Sequence, residues 1–184
     1  MSTTDVPLRY GRMAISLHWL MVGLIVIMYA LGWYMVELPK GDGRHLFFTT
    51  HKSIGLTVAM LALFRLYWRQ VSALPGKPDC MPRWKWILAE LTHGLLYAMM
   101  FLQPLTGYIS SSFAGYKTRY FGIPLPQWGW KDPVLNELFT EFHVICSIIL
   151  LSLIIVHVLA ALSHLLILKD GVFQRIWPAS GNKS

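Results

Sequence analysis

The sequence predicts an all-α integral membrane protein, a four-helix bundle, and three observations carry that expectation. Of its 184 residues 55% are apolar and only 14% are charged, where a soluble domain carries about a quarter charged. Residues 13–36, 91–116 and 142–168 form runs of 24, 26 and 27 residues without a formal charge, and a helix crosses the hydrocarbon layer with about 20. Six of the seven histidines fall inside or at the ends of apolar runs, where ionisable groups are scarce. A disordered chain is excluded by the apolar content.

The helices are expected at about 13–36, 46–68, 87–112 and 142–168, joined into one transmembrane domain over 1–184. The first run is too long for a signal-peptide core and has no small-residue cleavage site before Glu37. The second, which contains IGLTVAMLALF, spans only if Lys52 sits at one interface and Arg65 snorkels to the other. It is the least clean of the four. Turn-rich residues 38–44 and the proline-rich 74–82 read as short connections. The third connection, about 113–141, contains GYKTRYFGIPLPQWGW and is long enough to form a folded cap.

Ten Lys and Arg, among them Arg9, Arg12, Arg69 and Lys183, fall on the side of the termini and of the 65–90 connection, against six on the other. Both termini are therefore expected in the cytoplasm of a bacterial inner membrane. The net charge of +7 reports this asymmetry; a nucleic-acid partner would require a soluble basic face that the chain does not offer. Cys80 and Cys146 form no CxxC or disulfide framework.

His18, His51, His93, His143, His157 and His164 are the chemical candidates. An isolated histidine in a helix is commonly packing, but six with few carboxylates to partner them call for another explanation. His143 and His157 are 14 residues apart, about 3.9 turns and about 21 Å on one helix face. His51 begins the second helix level with His143. His18 begins the first, where His157 or His164 can face it. Zinc would want a third or fourth ligand close by, whereas a six-coordinate haem b takes two axial imidazoles across a flat apolar slot. Gly55 and Gly23, near His51 and His18, are small enough to leave room for a porphyrin or simply to pack helices. Arg65, 14 residues after His51, would lie near the inner site, facing a haem propionate or a quinone oxygen, or else snorkel. Glu90 and His93, one turn apart, suggest a proton-handling pair or a hydrogen bond.

The ordered set RMAISLHWL, HKSIGLTVAMLALFRLYWR, ELTHGLLYAMMFLQPLTGY, FGIPLP, and H-x13-H followed by LAALSH resembles the prokaryotic cytochrome b561 family, small four-helix dihaem proteins that include bacterial superoxide oxidase. The resemblance runs from about Arg9 to Trp177. It implies one transmembrane cytochrome b domain holding two haem b, the outer on His51 and His143, the inner on His18 and His157. It also implies that His164 lies near an inner quinone pocket, and it gives His93 no ligand role.

The expected function is then a superoxide:quinone oxidoreductase, passing electrons from periplasmic superoxide through two haems to ubiquinone. Lys52, Lys117 and Arg119 on the outer side suit steering of a small anion, although Asp132, Glu137 and Glu141 offset them. An alternative is a cytochrome b subunit exchanging electrons between the quinone pool and a periplasmic redox protein. A non-redox membrane protein whose histidines handle protons is the third reading.

Overall fold

The computed structural model describes residues 8–178, so Lys183 of the charge argument lies outside them. Four long helices follow one another: α1 (Arg12–Glu37), α2 (Asp42–Val71), α3 (Arg83–Phe113) and α4 (Pro133–Leu162). A π-helical turn, Ser163–Leu168, extends α4, and a short 3-10 turn, Phe173–Arg175, ends the described chain. Three of the helical stretches are long and apolar enough to cross a membrane: Arg12–Glu37, Gly43–Val71 and Pro133–Leu168. The expectation about the weak span is corrected here. The second helix qualifies, whereas α3 falls short on apolarity because Thr92, His93, Gln103, Thr106 and Ser110–Ser112 dilute it.

Packing explains that composition. α3 lies along α4, α1 along α2, and α2 along α3. The buried cluster Leu96, Met99 and Leu150 joins α3 to α4, with Cys146, Leu153 and Ile154 around it. The polar residues of α3 bond inward or to its own turns: Ser110 Oγ lies 2.7 Å from Thr140 Oγ1, and Asn136 Nδ2 donates to Ser110 O at 2.9 Å. In a bilayer such groups need partners within the protein. The outward faces of all four helices carry exposed apolar residues, such as Val26 on α1, Leu63 on α2, Leu91 on α3, and Ile148 and Leu159 on α4.

The fourth helix starts well before the expected 142. Asp132 caps it, its Oδ1 accepting from Val134 N and Leu135 N at 3.0 and 3.1 Å, with Pro133 in the first turn. This shortens the cap to residues 114–132, which hold a two-stranded antiparallel hairpin, Arg119–Tyr120 with Ile123–Pro124. Phe121 and Gly122 turn it, at φ 46 and 92. The hairpin is fastened to α2 by Ser53, whose hydroxyl is fully buried, accepts from Phe121 N at 3.0 Å and lies within reach of Arg119 O. Thr57 Oγ1 meets Tyr120 Oη at 3.2 Å one turn further.

At the opposite, terminal end the chain closes on itself. Trp19 Nε1 donates to Ile176 O at 3.0 Å, Tyr10 N to Arg175 O, and Arg175 Nη1 to Gly76 O at 2.7 Å. The bundle thus has a hairpin end and a terminal end.

Ser53→Ala removes the acceptor for Phe121 N. The loss is expected to be about 1 kcal/mol, seen as a lower Tm in detergent and faster tryptic cleavage after Arg119, with Ser111→Ala as the comparison.

Candidate functional site

Two imidazole pairs stand inside the bundle, and α4 supplies one member of each. At the hairpin end, His51 of α2 faces His143 with ring centroids 6.2 Å apart and planes at 78°. At the terminal end, His18 of α1 faces His157 at 6.3 Å and 77°. The 14-residue spacing along α4 separates the two pairs by about 21 Å of rise. Depth alone left His157 and His164 as equal candidates to face His18; the ring facing it is that of His157.

Each ring is oriented by its surroundings. His143 Nδ1 lies 2.8 Å from Gln103 O, so it donates there, as a metal-ligating histidine commonly uses its second nitrogen. Its Nε2 then accepts from Gln103 Nε2 at 3.2 Å, the bond a metal on that atom would replace. His51 Nδ1 is buried without a hydrogen-bond partner among the described residues, its Cε1 edge lying against the backbone of Gly32. A Cβ on Gly23 would meet nothing within 4 Å, and one on Gly55 would touch only Met28. Gly107 is the tight approach, where a Cβ would stand 2.9 Å from both Cε1 and Nδ1 of His143.

Arg65 is held between α1 and α3, with Nη1 donating to Ala14 O, one turn before His18, at 2.9 Å and Nε donating to Tyr97 Oη at 3.1 Å. His93 adds a third imidazole, its centroid 5.2 Å from that of His157, with Nδ1 buried and unpartnered among the described residues. The Glu90–His93 pairing does not form. Glu90 Oε2 instead accepts from Arg69 Nη2 at 2.6 Å, because the guanidinium of the neighbouring helix is the stronger partner.

Residues 9–179 match the family described as prokaryotic cytochrome b561. The chain belongs to that family. It is 33% identical over 183 residues to cytochrome b561 homolog 2 of Escherichia coli, covering 96% of this chain and 95% of the relative. It is 28% identical to cytochrome b561 homolog 1 of the same organism, covering 92% and 97%. A protein named probable superoxide oxidase, from Yersinia pestis, is 24% identical over 92% of this chain and 96% of its own length. The chain is therefore a membrane electron-transfer protein of the cytochrome b561 family, and membership implies haem b.

The imidazole pairs fit that group. Two imidazoles bound to one metal from opposite sides, with metal–nitrogen distances of about 2.0–2.1 Å, set their ring centroids about 6.3 Å apart. Both pairs of this b561 protein stand at that separation, whereas His93 and His157 stand too close.

The remaining candidates occupy the two ends. Lys52 is half-buried beside His51, while Lys117 and Arg119 are exposed in the hairpin segment. His164 lies beyond the terminal-end pair, its Nδ1 2.6 Å from Asp170 Oδ2. Both residues line a cavity of about 240 Å³ with Cys80, Met81, Pro82, Lys85 and Leu168. Asp170 went unnoticed in the sequence, where DG after an apolar run reads as a turn.

Desolvation pushes the Asp170 carboxyl up, but the hydrogen bonds from His164 and Val172 N outweigh it and hold the group below its ordinary range. A depressed carboxyl contributes stability above the unfolded value, about 3.9, and loses it as pH falls through the lower folded value. The Tm advantage of wild type over Asp170→Asn is thus expected to shrink as pH falls below about 4 and to vanish in stronger acid. Gly107→Ala is expected to displace the His143 ring and lower haem bound per chain, measured as a pyridine haemochrome, with Gly43→Ala, where a Cβ would also meet nothing within 4 Å, unchanged.

Proposed function

We propose that this chain is a superoxide:quinone oxidoreductase of the bacterial inner membrane. The observation that carries the reading is the stacking of two facing imidazole pairs, at 6.2 and 6.3 Å, along one helix. Two haem b groups, one held by His51 and His143 and the other by His18 and His157, would supply one-electron transfer across the bilayer.

The protein's own groups set the direction and the substrates. The ten-to-six distribution of cations favours termini in the cytoplasm and the hairpin in the periplasm. Lys52, Lys117 and Arg119 then lie on the periplasmic side, where their charge draws a small anion toward His51 and His143. Arg65 stands beside His18 and His157 with a guanidinium able to meet a haem propionate or a quinone oxygen. The cavity walled by His164 opens on the cytoplasmic side and takes the ubiquinone. In balance, two superoxide anions, one quinone and two protons give two dioxygen and one quinol. The Yersinia relative's name supports the substrate class.

A second reading is favoured by one surface. Tyr116, Phe121, Trp128 and Trp130 are all more than 60% exposed around the hairpin, an aromatic rim of the kind a periplasmic redox protein would cover. In that case the chain is the cytochrome b subunit of a larger complex.

The test mixes the purified holoprotein with a superoxide flux and ubiquinone-1. Quinol formation that superoxide dismutase suppresses is expected, falling several-fold in Lys52→Gln/Lys117→Gln/Arg119→Gln and less so at high salt. No quinol above the protein-free rate would contradict the proposal and favour the subunit reading, which co-purification with a periplasmic partner would then support.

A further inference from the structure

His164 does not stand alone in the wall of its cavity. Its ring and the Asp170 carboxylate are both largely buried and 2.6 Å apart. Asp170 is itself held, its Oδ1 accepting from Val172 N at 3.1 Å. Lys169 and Gly171 on either side take left-handed conformations, φ 51 and 80, which fold the chain back so that Asp170 reaches His164. The π-helical turn carrying His164 replaces the regular end of α4 at this point, and such turns recur at functional sites. The cavity has room for one substituted six-membered ring, with a hydrocarbon tail left in the lipid.

The geometry points to Asp170 as the positioning residue that makes His164 the proton-exchanging group for a quinone head bound in this cavity. The inference rests on the quinone reading above. With Nδ1–H donated to Asp170, the ring presents Nε2 as its other polar atom. An imidazolium there donates to a quinone carbonyl, and the carboxylate behind it stabilises that charge. As the quinone takes up two electrons, one from each of two superoxide anions, an O–H bond forms at one oxygen while the Nε2–H bond breaks. The neutral ring then accepts from the quinol hydroxyl it has formed, while the second proton reaches the other oxygen from cytoplasmic water. A proton taken up from the cytoplasm restores the Nε2–H bond once the quinol leaves.

Other charges face the pair from each packed element. Lys85 from the first turns of α3 and Cys80 from the α2–α3 connection line the same cavity, while Lys169 and Arg175 flank Asp170 along the chain. Arg175 is engaged with Gly76 O, away from the pair. Asp170 is therefore the carboxylate bonded to His164, and its removal is felt directly at the ring.

The test uses the holoprotein with ubiquinone-1, read as kcat, as KM, and as equilibrium binding by calorimetry. His164→Gln is expected to lower kcat more than about tenfold. Asp170→Asn, which keeps the oxygen that caps Val172, should lower kcat about tenfold with KM and Kd within threefold. Asp170→Glu should restore most of the loss. An unchanged haem absorption spectrum in each variant reports the fold. If wild type and His164→Gln behave as stated but Asp170→Asn keeps the wild-type kcat, the role of Asp170 is overturned alone. If wild type does not bind ubiquinone-1, or His164→Gln matches wild type, the quinone assignment of the cavity is overturned with it.

Discussion

The bundle is organised around imidazoles that α4 presents at both depths. Polar side chains within a bilayer must find partners inside the protein, and a buried imidazole needs something at each ring nitrogen. For His143 the helix alongside provides it: α3 brings Gln103 O to Nδ1 and tolerates the ring only because Gly107 has no side chain. This requirement accounts for the polar composition of α3. The helix gives up part of its apolar content for hydrogen-bonding groups, Gln103 and Ser110 among them, that face α4, and keeps an outward apolar row from Ile87 to Leu105.

The two ends of the molecule are closed by different means. At the hairpin end a single buried hydroxyl, Ser53, bonds the turn of the cap to the helix that carries His51. The cap and the nearby imidazole pair are thereby fixed to the same two turns of α2. At the terminal end, backbone carbonyls of residues 175–177 receive Trp19 and Arg9, and the chain doubles back beneath α4. That fold-back is what carries Asp170 to His164. A bundle lacking it would leave His164 at a frayed helix end.

Much of this was legible in the sequence because the relevant spacings are local. The H-x13-H of α4 is a statement about one helix, and helical geometry converts it directly into depth and face. The charge-free runs located α1 and α4 for the same reason. What escaped depends on neighbours. Gly107 and Gly32 matter through the approach of a histidine from a different helix, which spacing along one segment does not show. Glu90 lies one turn from His93 but is drawn to Arg69 across the helix pair. The early start of α4 was recoverable: Asp132-Pro133 is a capping signal, masked by Glu137 and Glu141 when helices are delimited by absence of charge. Asp170 required knowing that the chain reverses after Leu168.

The central claim is that two imidazole pairs, each sharing α4, hold two haems independently. The measurement that tests it most directly is haem b counted per chain in wild type, His143→Ala and His157→Ala, with reduced-minus-oxidised spectra for each. The account requires two haems in the wild type and one in each variant, with a different spectral component missing in each. One haem in the wild type, or the same component lost in both variants while the other persists, would contradict it.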